Sequence, residues 1–159
     1  MTDPEPNAAP ELKSALPWWL VPLMVAVGGA YLWTQSKPRE ANPVAVTEHE
    51  VAVTDANAEA VTAKGVALLD FSASWCPPCR QMAPIVGDIA ADYEGRIAVG
   101  VVDVDDAATQ ALQTRFGVNG IPHFVVLADG KSVATFTGAV PESDLRTAID
   151  AAVAGAATR

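Results

Sequence analysis

The feature that most limits this chain is its pair of cysteines, Cys76 and Cys79, in the string SASWCPPCRQ. The residues before the pair, VALLDFSA, form an apolar run typical of a buried strand. The residues after it place Met82, Val86 and Ile89 at helical spacing. A C-x-x-C motif between a buried strand and a helix is a specific context for dithiol–disulfide exchange.

The position of the two cysteines gives them different expected roles. Cys76 would stand at the N-terminus of the helix, where free N–H groups and the helix dipole lower the pKa of a thiol. Cys79 would lie one turn later on the same face, within reach of a disulfide formed at Cys76. Two other interpretations are a pair of inert, packed cysteines and part of a metal site. Two cysteines alone cannot complete a four-ligand zinc site.

The rest of the C-terminal part alternates strand and helix patterns in the order β-α-β-α-β-α-β-β-α. Asp55 is expected to cap the first helix, and Asp129-Gly130 predicts a tight hairpin turn. Pro141 falls near the first turn of the last helix. The order of elements predicts an α/β fold in which helices cover both faces of a mixed sheet.

The N-terminal part has a different character. Residues 14–36 contain no charge, and aromatic residues stand at both ends of their apolar core. We therefore expect a disordered tail over 1–14, a transmembrane anchor over 15–34 and a linker over 35–47. The alternative is a cleaved signal peptide, although the residues before the apolar core are acidic rather than basic.

The formal net charge of −9 belongs mostly to the C-terminal part. Residues 48–159 carry fifteen acidic and seven basic side chains, and no cluster of Lys or Arg. This argues against nucleic acid as a partner. Basic residues beside a membrane span favour the cytoplasmic side. Two of them, Lys37 and Arg39, follow the uncharged residues 14–36, and one, Lys13, precedes them, so the charges slightly favour a cytoplasmic C-terminal side.

The sequence resembles the thioredoxin family. The resemblance rests on VALLDFSASWCPPCRQMAPIVGDIA, and also on GVNGIPHF, ADGK and FTGAV further along. It covers residues 48–155, which we predict to be a thioredoxin domain. Residues 156–159 are predicted to be a C-terminal tail. The resemblance implies a thioredoxin fold, a mixed central sheet flanked by helices.

The resemblance also implies roles for residues around the cysteines. Pro122 would be a cis-proline facing them, Asp70 a buried carboxylate behind them, and Trp75 a ring beside the nucleophile. A carboxylate in an apolar run should have a raised pKa and could take the proton of Cys79 through water. The backbone of Ile121 could pair with a substrate strand. The alternatives are a structural role for Asp70 and a core position for Trp75.

The sequence departs from the family pattern at several positions. Pro77 replaces a glycine, and neither Pro77 nor Pro78 has an N–H, so we expect Pro77 to change the reduction potential relative to Pro77→Gly. His123 follows the cis-proline and would either favour the thiolate, bind substrate, or be a surface histidine. Val101 stands where many members have a lysine, which should leave the pKa of Asp70 higher. Ser72 replaces a frequent tryptophan, which should open the surface beside the motif.

These observations predict a membrane-tethered protein-disulfide reductase that uses Cys76 and Cys79. The sequence has no G-x-G-x-x-G fingerprint, so we expect no nucleotide cofactor and an external protein as the reductant. One alternative is a Cu(I)-binding module with Cys76, Cys79 and His123 as ligands. Another is an adaptor without redox activity. Because tethered thioredoxin-like domains in bacteria commonly act outside the cytoplasm, we expect a periplasmic or extracytoplasmic domain, against the slight charge bias.

Overall fold

The computed structural model describes residues 44–158. The predicted tail, the predicted anchor and most of the predicted linker lie outside the described residues. Within 44–158, no helix combines the length and the apolar character needed to cross a bilayer. The predicted domain over 48–155 lies wholly within the described part.

Five strands form one mixed sheet. They are β1 (Val51–Ala52), β2 (Val66–Ser72), β3 (Ile97–Asp103), β4 (His123–Ala128) and β5 (Lys131–Thr137). Their spatial order is β1-β3-β2-β4-β5. The strands β1, β3 and β2 run parallel, β4 is antiparallel to β2, and β5 is antiparallel to β4. This confirms the mixed sheet expected from the order of elements.

Helices cover both faces of the sheet. They are α1 (Ala58–Thr62), α2 (Pro77–Asp92), α3 (Gln110–Arg115), which follows a 3₁₀ turn at Ala107–Thr109, and α4 (Glu142–Ala157). The last helix extends two residues beyond the predicted domain boundary at 155. Alternate residues of β2 point to opposite layers, as the pleat requires. Leu68 packs in the layer of α2 and α4, whereas Leu69 and Phe71 pack in the layer of α1 and α3.

The hairpin between β4 and β5 forms at the predicted turn. Asp129 and Gly130 have φ values of 50° and 74°. Two consecutive residues with positive φ are the mark of a type I′ turn, whose twist matches that of paired strands. The Asp-Gly signal in the sequence therefore predicted the position of the hairpin turn.

The prediction that Asp55 caps the first helix is wrong. The helix begins three residues later, after Asn57, whose side chain accepts a hydrogen bond from the Thr54 amide at 2.7 Å. The Asp55 carboxylate instead accepts hydrogen bonds from the amides of Ala111 and Leu112, at 3.1 and 2.9 Å. Asp55 thus satisfies free N–H groups in the first turn of α3, which lies far away in sequence.

The sheet topology brings three parts of the sequence to one edge. β2 ends at Ser72, directly before the cysteine motif, and α2 begins at Pro77. Because β4 is antiparallel to β2, its first residue, His123, pairs with Phe71 near the end of β2. The Ile-Pro segment before β4 therefore reaches the same edge as the cysteines.

Candidate active site

Cys76 and Cys79 form a disulfide at the start of α2, with their Cα atoms 5.3 Å apart. Cys76 is the N-cap of the helix, and its Sγ atom accepts a hydrogen bond from the Cys79 amide at 3.3 Å. The Arg80 amide is bonded to the Cys76 carbonyl. Pro77 and Pro78 have no N–H, so Cys79 supplies the backbone donor to the sulfur. In the dithiol form this donor would favour a thiolate at Cys76.

Trp75 stands beside the motif on the surface, with 60% of its area exposed. Its indole nitrogen donates a hydrogen bond to the Asp105 carboxylate at 2.6 Å. The backbone of Asp105 is in turn held by Asp103, at the end of β3. The alternative in which Trp75 is a core residue is wrong. A role for its ring in substrate binding stays a prediction.

The bond between Ile121 and Pro122 is cis. Ile121 packs against the buried cluster of Ala73, Cys76 and Cys79, so the Ile-Pro segment does face the disulfide. Ile121 precedes the residues of β4 that pair with β2, which begin at His123. Its proposed pairing with a substrate strand stays a prediction.

Asp70 lies in β2 behind the motif and is 3% exposed. Its strand neighbours are Val101 of β3 and Phe124 of β4, and both are apolar. Among the described residues, its Oδ1 atom has no hydrogen-bond partner. Burial raises the pKa of Asp70 to about 7, and the negative charge of Glu50 adds to this effect. The raised pKa expected from the sequence is confirmed, whereas the transfer of the Cys79 proton to Asp70 stays a prediction.

A cavity of about 190 Å³ borders Asp70. Ser72 also lines it, and this residue is 3% exposed. The small side chain of Ser72 borders this cavity, and the expectation that Ser72 opens the surface beside the motif stays a prediction. The cavity is lined by Val44, Ala45, Thr47, Glu50, Asp70, Ser72, Ala83, Pro84 and Val101.

Comparison with known proteins agrees with this geometry. The Thioredoxin family model matches residues 48–151. This chain belongs to the thioredoxin family. It is 38% identical over 108 residues to a thioredoxin of Pseudomonas aeruginosa, covering 67% of this chain and 98% of that protein. It is also 38% identical over 100 residues to a thioredoxin of Staphylococcus aureus, covering 63% of this chain and 94% of that protein.

Family membership and the Cys76–Cys79 disulfide together make this chain a thioredoxin-like thiol–disulfide oxidoreductase. The disulfide is the redox-active group, and it lies where the sequence placed it, between β2 and α2. The peptide bond before Pro122 is cis, as the resemblance implied, and Ile121 packs against the cysteine cluster. The motif of this thioredoxin-like domain differs from the family pattern at Pro77, and the effect of Pro77 on the reduction potential stays a prediction.

His123 lies beneath the surface of the thioredoxin-like domain, and 3% of it is exposed. Its Nδ1 atom is 2.8 Å from the Thr137 hydroxyl, and its ring packs edge-on against Phe71. Burial lowers the pKa of His123, and the nearby backbone of Phe116 partly opposes this. The interpretation as a surface histidine is wrong. Burial leaves the ring little area for contact with a substrate, and its role there stays a prediction.

The alternative of a Cu(I) site finds no support in the described residues. Between residues 44 and 158, no three or more His, Cys, Asp or Glu side chains are grouped so that they could hold a metal ion. Cys76 and Cys79 are bonded to each other, and His123 contacts Thr137. The three residues suggested as ligands are therefore not assembled into one site.

Sequence reasoning missed two acidic residues of this region, Asp105, which bonds to Trp75, and Glu50, which lines the cavity beside Asp70. Asp105 follows β3, and the carboxyl ends of parallel strands meet at one edge, so its closeness to Trp75 could have been inferred. Glu50 stands in an irregular segment before β1, and no periodic pattern connects it with Asp70. Only the folded chain reveals that the two residues line one cavity.

Proposed function

We propose that this chain is a membrane-tethered protein-disulfide reductase whose thioredoxin domain acts outside the cytoplasm. The observation that carries the reductase role is the buried Asp70, whose pKa of about 7 suits a group that exchanges a proton near neutral pH. The position of Cys76 at the start of α2 supports its role as the attacking thiolate.

In the proposed reaction, the Cys76 thiolate attacks one sulfur of a protein disulfide. The substrate disulfide breaks, a mixed disulfide forms at Cys76, and the released substrate thiolate takes a proton from water. Cys79 then gives its proton to Asp70 and attacks the Cys76 sulfur. The second substrate thiolate leaves and is protonated. The substrate has gained two electrons, and Cys76 and Cys79 are left as a disulfide.

The domain must then be reduced again by another protein. The sequence has no Gly-rich fingerprint for a nicotinamide or flavin nucleotide, so the electrons come from a separate dithiol or reductase. The Ile121 backbone and the exposed Trp75 beside the disulfide are suited to contact a protein partner. The same surface would serve the substrate and the reductant in turn.

Insulin reduction tests the direction of the reaction. The full-length chain, kept reduced by dithiothreitol, should precipitate the insulin B chain faster than dithiothreitol alone. The disulfide form should oxidise a dithiol peptide only partly at equilibrium, because a reductant holds its own disulfide more strongly than the peptide does. Complete oxidation of the peptide without acceleration of insulin reduction would instead identify an oxidase.

The anchor is proposed from the uncharged residues 14–36. Its orientation can be tested in cells with cysteine labels in a Cys76→Ser, Cys79→Ser background. Glu40→Cys should react with a membrane-impermeant maleimide in intact cells, and Asp3→Cys only after permeabilisation. The reverse pattern would place the domain in the cytoplasm. If both positions are labelled in intact cells and the chain is found in the soluble fraction, the proposed membrane anchor is wrong.

A further inference from the structure

The cavity beside Asp70 is shared by two carboxyl groups. Asp70 and Glu50 are the two ionisable side chains that line it. Several other lining residues, among them Thr47 and Pro84, are exposed at the surface, so the cavity reaches solvent. Its volume of about 190 Å³ has room for a few water molecules of about 30 Å³ each.

Glu50 is held in place at this cavity by the backbone. One of its carboxylate oxygens accepts a hydrogen bond from the Thr47 amide at 2.7 Å, and its own amide bonds to the Thr47 carbonyl at 3.2 Å. These two bonds close a turn. One fixes the backbone of Glu50, and the other fixes its carboxylate group. The carboxylate is therefore positioned rather than free to turn away from Asp70.

The residues that pair with Asp70 in the sheet carry no charge, and neither do the residues that line the cavity besides Asp70 and Glu50. The partners of Asp70 in the sheet are Val101 and Phe124, and α2 contributes Ala83 and Pro84 to the cavity. The negative charge of Glu50 thus acts on Asp70 without a cation from these neighbours to oppose it. A like charge across a partly enclosed cavity disfavours the ionised form of a carboxyl group.

We propose that Glu50 is a positioning residue of disulfide exchange. It acts on Asp70 across the shared cavity and sets the pH range in which Asp70 accepts the proton of Cys79. This inference rests on the proposed function, because it concerns the step that resolves the mixed disulfide. In that step the Cys79 S–H bond breaks, Asp70 binds the proton, and the new Cys79 thiolate displaces the substrate sulfur from Cys76. Asp70 then releases the proton to solvent through the cavity.

The direct test is a titration of the Asp70 carboxyl carbon by NMR in the full-length disulfide form. Glu50→Gln should lower the titration midpoint by up to about one pH unit, since one neighbouring negative charge is removed. Glu50→Asp, which keeps the charge, should stay nearer to the wild type. Glu48→Gln is the matched control, because it removes the same charge two residues earlier in the chain. The Glu48 side chain is 85% exposed.

The second readout is the rate at which the reduced chain reduces insulin, measured from pH 5 to pH 9. At pH 6, Glu50→Gln should raise the rate about two- to fivefold, because more Asp70 is ionised, and above pH 8 it should change little. An unchanged midpoint, or an equal shift in Glu48→Gln, would overturn the inference. If the wild type fails to reduce insulin, the proposed function fails, yet the titration still decides whether Glu50 controls Asp70.

Discussion

Replacing Asp70 with Asn should stabilise the domain at alkaline pH but should not stabilise it below about pH 3. The reason is that the folded domain holds this carboxyl group where ionisation is unfavourable. Burial raises the pKa of Asp70 to about 7, against an ordinary value of 3.8. Below 3.8 the group is protonated in both the folded and the unfolded chain, so it makes no difference to the free energy of unfolding.

Between pH 3.8 and pH 7 the unfolded chain loses this proton and the folded chain keeps it, so stability falls as the pH rises. Above pH 7 the carboxyl group is ionised in both states, and the full cost of burying its charge lowers the free energy of unfolding. The two pKa values differ by about three, which corresponds to about 4 kcal/mol. Because the new amide is also buried and needs partners, we expect a net gain of about 2 to 4 kcal/mol at pH 9.

Urea unfolding of the disulfide form at pH 3 and pH 9, followed by circular dichroism, measures this gain. Asp88→Asn is the matched control, because it removes the same charge from an exposed position on α2. A similar gain in the control would mean that the net negative charge, and not the burial of Asp70, is responsible. Absence of any gain in Asp70→Asn at pH 9 would contradict a raised pKa.

Replacing either cysteine with serine should abolish turnover in the insulin assay, for two different reasons. A hydroxyl group at position 76 cannot supply the anion that attacks a disulfide at neutral pH. A hydroxyl group at position 79 leaves the first attack intact but cannot resolve the mixed disulfide. Cys76→Ser should therefore be inert, and Cys79→Ser should react once and stop.

A control separates these effects from misfolding. Each single variant lacks the disulfide that joins the first turn of α2. The reduced wild type lacks that bond too, so the circular dichroism spectra of all three should agree. Residual turnover above the rate of dithiothreitol alone in Cys76→Ser would show that another group attacks the substrate.

The sequence predicted the elements that rest on local patterns. The apolar run VALLDFSA became the buried β2, and the Asp129-Gly130 turn formed as expected. The cysteines lie at the predicted junction, because strand and helix periodicity on either side fixed that boundary. The raised pKa of Asp70 was also predictable, since a lone carboxylate in a fully buried strand must be desolvated.

The errors concern contacts between distant segments. Asp55 caps a helix more than fifty residues away, and His123 is buried against Phe71. Each depends on how layers pack across the sheet, which the local sequence does not encode. Glu50 was missed for the same reason, because its effect on Asp70 arises only when the segment before β1 lies beside β2.

The central claim is that Cys76 attacks the substrate and Cys79 resolves the intermediate. Trapping of the mixed disulfide tests it most directly. Reduced Cys79→Ser and Cys76→Ser are each mixed with insulin, quenched in acid and separated on a non-reducing gel. We predict a covalent complex with Cys79→Ser that dithiothreitol releases, and none with Cys76→Ser. A complex formed by Cys76→Ser, or by neither variant, would contradict the account.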